Sequence, residues 1–175
     1  MKDNKPADDD PSLHWGPATL GIRAAQSRSP EMEHSPAIYP TSSFVFNNAA
    51  EAARVFAGQQ AGNVYGRFTN PTVKMFEQRL AIMEGGDACV ATASGMVAIL
   101  SLIMATMKAG DHLLSSSGLF GSTINLFNNY LVKFGVEVSY VDPTRPELWE
   151  KAIRPNTRML FVETPSNPLT EIADI

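Results

Sequence analysis

The spacing of apolar residues changes at the Gly85-Gly86 pair of this 175-residue chain. Before the pair, apolar positions recur at helical spacing, as in residues 73–83, which follow a capping Asn70 and a Pro71 in the first turn. After the pair, short apolar runs alternate with helical stretches. Such alternation predicts an α/β fold with a mostly parallel sheet, whose strands are joined by right-handed helical crossovers.

Capping residues and glycine stops set the expected boundaries of the elements. The predicted helices are 19–26, 48–57, 71–83, 94–108, 121–134 and 145–153, and the predicted strands are 88–92, 111–115, 137–141 and 158–163. The helix 94–108 is apolar on nearly every side, so we expect it to be buried. Ile172 and Ile175 are expected to begin a further helix. Because the sheet is incomplete where the sequence stops, we expect the first part of a longer protein.

The stretch 88–107 places the small residues Thr92-Ala93-Ser94-Gly95 between a short apolar run and a long apolar helix. This order predicts a tight turn from a strand into a helix. The first turn of a helix has unpaired N–H groups and the positive end of the helix dipole, so a phosphate fits there without a basic side chain. Small residues also mark close packing, so a buried turn without a ligand is the alternative at this point.

Two common phosphate motifs are absent from this stretch. A P-loop needs a Lys and a Ser or Thr at fixed spacing, and a dinucleotide site needs three glycines and an acidic residue about 20 positions later. The chain has Ser115-Ser116-Ser117 where that acid belongs. The pattern therefore argues against NAD and favours a single phosphate on another cofactor.

Composition narrows the class of protein further. Hydrophobic residues make up 44% of the chain, and its net charge of −4 gives no general electrostatic case for nucleic acid. No apolar run is long enough to span a bilayer unbroken, so no membrane partner is expected. The single cysteine, Cys89, excludes an internal disulfide and fits a reducing cytoplasm. The three histidines, His14, His34 and His112, are too scattered to indicate a metal site.

Ligands of a parallel sheet bind at the carboxyl ends of its strands, which gathers residues 94–96, 119–121 and 163–167 at one end. Three motifs occur in order along the chain: YGRFTNPT at 65–72, ASGM at 93–96 and ETPSNP at 163–168. Together they resemble the Cys/Met-metabolism family of pyridoxal-phosphate enzymes, which has the aspartate-aminotransferase-like fold (fold type I). Residues 41–46, 62–65 and 119–123 are most similar to the members that add sulfide to O-succinylhomoserine.

The resemblance implies cofactor-binding roles at the predicted strand ends. Gly95 and Met96, with Ser94 beside them, would bind the cofactor phosphate through backbone N–H groups. Phe120 would stack on the pyridine ring; many relatives have Tyr there, and Phe keeps the stacking without the hydroxyl. Asn167 would lie near the cofactor hydroxyl and the substrate carboxylate, although its plain alternative is to form the turn before a proline.

Two more residues would bind the cofactor of a neighbouring subunit. Tyr65 and Arg67 would reach that subunit's phosphate, which implies a dimer that shares its active sites and a tetramer in the full-length form. Arg suits this role because its planar fork holds two phosphate oxygens at once. Without the surrounding motif, both residues favour a plain surface loop. Glu163 matches a family position at the strand end, and we expect it to support the site structurally rather than to act as an acid or base.

The reaction that the resemblance implies is a γ-replacement in methionine biosynthesis. O-succinylhomoserine or O-acetylhomoserine would react with sulfide to give homocysteine. Cystathionine γ-synthase or methionine γ-lyase activity is an alternative, because the same motifs serve these enzymes. A non-catalytic fragment that binds only phosphate or a partner subunit is another.

No catalytic residue is assigned within the chain. The family's Schiff-base lysine, and the acid that pairs with the pyridine nitrogen, would follow Ile175, so the chain alone is expected to be inactive. Lys133 and Lys151 lie on predicted helices away from the strand ends and are expected to be solvated. The expected domains are a disordered tail at 1–17, an arm with short helices at 18–62 and the first part of the cofactor-binding large domain at 63–175.

Overall fold

The computed structural model describes residues 15–173 and 175, so most of the predicted N-terminal tail lies outside the described residues. The chain divides into two compact units, one ending at Ala91 and the other running from Thr92 to Ile175. The first unit contains three helices, α1 (Pro17–Arg23), α2 (Ala49–Phe56) and α3 (Pro71–Met83). No helix in the described residues has both the length and the apolar composition that crossing a bilayer requires.

Helices α2 and α3 of the first unit begin at asparagine caps, as predicted, whereas α1 begins after Gly16 without a side-chain cap. The side chain of Asn48 accepts a hydrogen bond from the N–H of Glu51 at 2.8 Å, and that of Asn70 accepts one from the N–H of Thr72 at 2.9 Å. Helices α1 and α3 pack together, and Arg79 Nε of α3 donates to the carbonyl oxygen of Ala24 at 2.9 Å. This bond satisfies a backbone carbonyl that the end of α1 leaves free.

The second unit is built on a three-stranded parallel sheet, which confirms the predicted α/β class. Its strands lie in the order β2-β1-β3. The strands are β1 (His112–Ser116), β2 (Glu137–Val141) and β3 (Thr157–Phe161), and the helices are α4 (Gly95–Thr106), α5 (Gly121–Asn129) and α6 (Pro146–Ala152), with a short 3-10 helix at Leu131–Phe134. All five residues of the central strand β1 are buried.

The core of the second unit lies between the sheet and helices α4 and α5. Its buried members are Ile103, Leu113, Leu119, Phe127, Leu131 and Val136. The ring of Phe127 packs edge-on against that of Phe161, with 5.3 Å between the centroids. This contact attaches α5 to β3.

The predicted strand 88–92 is wrong. Residues 88–92 form no strand in the described part of the chain, and Val90 is 81% exposed. The N–H of Ala91 donates instead to the carboxylate of Glu77 at 2.8 Å. A strand is stabilised by its neighbour's hydrogen bonds, so an apolar run without a partner strand does not become one.

Two other predictions also fail, because each concerns a segment whose structure depends on contacts with other segments. Helix α4 is not buried on every side: Ile103 is 1% exposed, whereas Leu102 and Met104 are each about half exposed. Only one side of α4 packs against the core of its unit. Residues 171–173 are not helical; the N–H of Ala173 donates to Thr164 Oγ1 at 3.0 Å, which folds this segment back on the loop that follows β3.

His112 has a structural role, in a buried position. Its Nδ1 lies 2.8 Å from Thr157 Oγ1, which links β1 to β3, and its buried Nε2 has no partner among the described residues. Burial lowers the pKa of His112 below its ordinary value of 6.5, nearby Arg154 lowers it further, and Glu137 partly opposes the shift.

We predict that Phe127→Ala destabilises the chain strongly, because the residue is fully buried and the variant leaves a cavity between α5 and β3. The expected loss in the free energy of unfolding is about 3–5 kcal/mol. The control is Phe134→Ala, at a position that is 57% exposed, with an expected loss of about 0.5 kcal/mol or less. Urea unfolding measures both values, and equal losses would contradict this account of the core.

We also predict that acid weakens the fold through His112. The unfolded chain binds a proton below pH 6.5, whereas the folded chain, with its lower pKa, resists protonation until the pH is lower. The contribution of neutral His112 to the unfolding free energy is therefore fully present above pH 6.5, and it is lost as the pH falls toward the pKa of the folded chain. In His112→Gln, the fall in unfolding free energy between pH 7.5 and 5.5 should be smaller than in the unchanged chain. The control His34→Gln removes an exposed histidine; a larger effect there would contradict the assignment.

Candidate functional site

Helix α4 begins with backbone N–H groups that are open to a ligand. Ser94 has extended backbone angles, and its hydroxyl accepts a hydrogen bond from the N–H of Val97 at 3.3 Å. The N–H groups of Gly95 and Met96 have no partner among the described residues. Apart from the adjacent residues and the backbone of α4 itself, no described residue has an atom within 4 Å of the position that a Cβ of Gly95 would take. The positive end of α4 thus has room for an anion.

Helix α5 begins beside α4 and presents an aromatic ring. Phe120 directly precedes α5 and is 46% exposed, and it belongs to no aromatic pair within the described residues. Its N–H donates to Glu163 Oε2 at 3.0 Å. In the first turn of α5, the buried hydroxyl of Thr123 donates to Met96 Sδ at 3.8 Å. These contacts connect the starts of α4 and α5 with the segment that follows β3.

The loop after β3 is anchored by a buried serine. Ser166 is 3% exposed; its hydroxyl accepts the N–H of Glu171 at 3.0 Å, and its own N–H donates to the Glu171 carbonyl at 2.9 Å. A Cβ on Gly118 would lie 3.1 Å from the Cβ of Ser166, so the loop after β1 approaches this loop closely. Asn167, next to the anchor, is exposed.

Tyr65 and Arg67 lie on a loop of the first unit that is held by backbone contacts. Tyr65 forms an antiparallel bridge with Ser43, and the N–H of Gly66 donates to the Ser42 carbonyl at 2.7 Å. The guanidinium of Arg67 lies 4.3 Å from the centroid of the Phe68 ring. Within the described residues Arg67 has no carboxylate partner and is exposed, so it is available to an anion.

The structure brings together the sequence-predicted residues of the second unit. Ser94, Gly95, Met96, Phe120 and Asn167 all lie at the end of the unit where β1 and β3 finish. Lys133 and Lys151 are exposed, as predicted, and belong to the elements that precede β2 and β3. In chemical terms this end of the unit offers neutral N–H donors and a free aromatic face, which suit a phosphate joined to a flat ring.

Sequence reasoning missed two residues that support this arrangement. Thr123 contacts Met96, and Gly118 allows the close approach to Ser166. Only weak indications of these two roles are present in the sequence. Thr123 lies in the first turn of a predicted helix, and Gly118 follows a predicted strand. Both contacts join segments that are far apart in sequence, so neither can be read from local spacing.

Comparison with known proteins identifies a family whose model matches most of the chain, and several similar members of that family. The family model described as Cys/Met metabolism PLP-dependent enzyme matches residues 18–175. An O-succinylhomoserine sulfhydrylase from Pseudomonas aeruginosa is 54% identical over 90% of this chain and 39% of its own length. An L-methionine gamma-lyase from Porphyromonas gingivalis is 44% identical over 79% of this chain and 35% of its own length. The chain therefore spans about two fifths of the length of these curated relatives.

Solved structures support the same assignment. A putative O-acetylhomoserine (thiol)-lyase from Campylobacter jejuni, solved with N'-pyridoxyl-lysine-5'-monophosphate, superposes with a TM-score of 0.82 at 34% identity over 91% of this chain and 40% of that chain. The metB protein from Corynebacterium glutamicum gives a TM-score of 0.83 at 31% identity over 93% of this chain and 40% of its own. These neighbours confirm the predicted fold. Because the family model matches everything after the first 17 residues, this chain belongs to the Cys/Met-metabolism family of pyridoxal-phosphate-dependent enzymes.

Proposed function

We propose that the protein to which this chain belongs exchanges the γ-substituent of an activated homoserine for sulfide. O-succinylhomoserine and hydrogen sulfide would give homocysteine and succinate, as a step of methionine biosynthesis. The main support for the proposal is that the N–H groups of Gly95 and Met96 at the start of α4 have no partner among the described residues and lie beside the exposed ring of Phe120. The choice of the succinyl ester is supported by sulfhydrylases of that specificity, 54% identical in Pseudomonas aeruginosa and 42% identical in Mycobacterium tuberculosis.

The residues of the second unit fit pyridoxal phosphate. The free N–H groups of Gly95 and Met96 would hold its phosphate, with Ser94 fixing the turn through its cap. The exposed face of Phe120 would stack on its ring. Asn167 would bind the ring hydroxyl and the substrate carboxylate through its amide. Its neighbour Ser166 is hydrogen-bonded to Glu171, which holds the loop that carries Asn167 in place.

Pyridoxal phosphate, when bound, supplies an electron sink that stabilises negative charge on the amino-acid substrate. The chain's own residues would bind and orient. Phe120 has no hydroxyl, so the residue stacked on the ring cannot transfer a proton. Proton transfer would therefore need a group other than Phe120, and the Schiff-base lysine is proposed to lie outside this chain.

The first unit would complete the site of a neighbouring subunit. Arg67 is exposed and carries a planar guanidinium, which matches a phosphate geometrically and electrostatically. Tyr65, 43% exposed on the same loop, would add a hydroxyl donor. The proposed assembly is a homodimer that shares its active sites, with a tetramer as the full-length form.

A methionine γ-lyase activity is the second candidate. The Porphyromonas gingivalis lyase is 44% identical to this chain over 138 residues, which is close to the identity of the mycobacterial sulfhydrylases. Both reactions would use the same cofactor residues. The two activities differ in whether sulfide replaces the γ-substituent or the γ-substituent is only eliminated, so substrate assays decide between them.

We predict that Gly95→Ala weakens phosphate binding without weakening the fold. A Cβ at this position would contact no described residue outside α4 and its neighbours, so the unfolding free energy should be unchanged or rise by up to about 1 kcal/mol. The same Cβ would occupy the proposed phosphate space, so affinity for inorganic phosphate should fall roughly tenfold, which equals about 1.4 kcal/mol. The control is Gly121→Ala at the start of α5, where a Cβ is equally free. Equal phosphate affinity in both variants, by equilibrium dialysis, would contradict the assignment.

The activity itself is tested with a chimeric protein. Residues 18–175 of this chain replace the matching segment of the Pseudomonas aeruginosa sulfhydrylase, which is 54% identical over the match. The chimera should form homocysteine from O-succinylhomoserine and sulfide, and Arg67→Ala in the chimera should lower this rate. A folded chimera that binds pyridoxal phosphate but only cleaves methionine would favour the lyase.

The 175-residue chain alone is the second arm of that experiment. With pyridoxal phosphate and both substrates it should form no homocysteine. After borohydride reduction no single lysine should be modified, because the described lysines, Lys74, Lys108, Lys133 and Lys151, are all exposed. One stoichiometrically modified lysine, found by mass spectrometry, would show that a residue of this chain replaces the family's lysine.

A further inference from the structure

We propose that Glu163 is a positioning residue, whose carboxylate fixes the backbone of Phe120 and thereby sets the Phe120 ring against the cofactor. The inference rests on the proposed function, because it concerns the ring that would stack on pyridoxal phosphate. It goes beyond that proposal by naming a residue that does not touch the cofactor. The proposal is based on the 3.0 Å hydrogen bond from the Phe120 N–H to Glu163 Oε2.

The side chain of Phe120 has few other restraints, and the carbonyl oxygen of this residue accepts hydrogen bonds only from α5 itself, from the N–H groups of Thr123 at 2.9 Å and Ile124 at 3.2 Å. Phe120 precedes α5 without a side-chain cap, and its ring is 46% exposed and joins no aromatic pair among the described residues. Its orientation is therefore set mainly by its backbone. The bond to Glu163 spans 43 residues and attaches this backbone to the segment that directly follows β3. Such a bond places the ring relative to the sheet, which no contact within α5 does.

Glu163 is suited to act as a fixed anchor. It is half-buried, and no arginine, lysine or histidine of the described residues lies within ion-pair distance of its carboxylate. Two positions earlier, Phe161 packs against Phe127 in the core. The loop that carries Phe120 touches the loop after β3 at a second point, where Gly118 approaches Ser166. Two contacts thus hold one loop against the other.

The charge of Glu163 also distinguishes the two helix starts. A carboxylate near the start of α5 complements the positive end of that helix dipole and disfavours a second anion there. The start of α4 is capped by the neutral hydroxyl of Ser94 and keeps free N–H groups. A ligand that carries both a phosphate and a ring would therefore place its phosphate at α4 and its ring at Phe120.

The test compares Glu163→Ala and Glu163→Gln in the 175-residue chain. Amide hydrogen exchange of Phe120 is measured without ligand, and the affinities for pyridoxamine 5'-phosphate and for inorganic phosphate are measured by calorimetry. The matched control is Glu51→Ala, which removes a carboxylate that accepts the N–H of Asn47 at 2.8 Å just before α2. Glu51 belongs to the first unit and lies outside the proposed site.

In Glu163→Ala, exchange of the Phe120 amide should accelerate about tenfold or more, because a hydrogen bond to a charged group is lost. Affinity for pyridoxamine 5'-phosphate should fall roughly threefold to tenfold, the size of a stacking contact, while affinity for inorganic phosphate is unchanged. Glu163→Gln keeps an oxygen acceptor and should restore most of both losses. Glu51→Ala should change neither quantity.

The outcomes separate failure of this inference from failure of the proposed function. Unchanged Phe120 exchange in Glu163→Ala would overturn the positioning role alone, and so would equal losses for both ligands, which would indicate general unfolding. If the unchanged chain binds neither pyridoxamine 5'-phosphate nor inorganic phosphate, the proposed cofactor site is wrong. The inference would then fail with it, even if Phe120 exchange responds to Glu163.

Discussion

The hydrogen bonding of strand β1 is the constraint on which the second unit depends. This strand is buried along its whole length and pairs in parallel with β2 on one side and β3 on the other. Parallel pairing makes the strands finish at the same edge, so the segments that follow β1 and β3 must lie side by side. The proximity of Phe120 and Glu163 is a direct result of this register.

The two helices that start near this edge differ in how their free N–H groups are satisfied. A carboxylate meets the backbone at the start of α5, whereas the starting residues of α4 keep two donors without partners among the described residues. The first N–H groups of a helix have no partner within the helix, so this open pair beside the exposed ring of Phe120 is available to a ligand or to water. The family to which the chain belongs depends on pyridoxal phosphate, which is the ligand proposed for this place.

Local signals in the sequence predicted much of this structure, and non-local contacts account for what was missed. Asparagine caps located α2 and α3, and strand β2 has the predicted bounds, because capping and alternation act over a few residues. The segment 88–92 looks like a strand by composition, but a strand also needs a neighbour. The apolar character of α4 predicted burial, which depends on the segments that cover it. The spacing of small residues predicted the turn at residues 94–96. The hydrogen bond from the Phe120 N–H to Glu163 joins residues 43 positions apart, so only the folded structure reveals it.

The loop of Tyr65 and Arg67 has a further consequence through Gly66. A Cβ at that position would lie 2.7 Å from the carbonyl oxygen of Thr41, which is closer than real Cβ contacts allow. The arm and the loop are therefore joined main chain to main chain, with the glycine as the point of closure. The side chains on either side of it carry little of the loop's architecture. The side chains of Tyr65 and Arg67 can therefore be exchanged while these backbone contacts remain, so the same loop backbone can display different side chains.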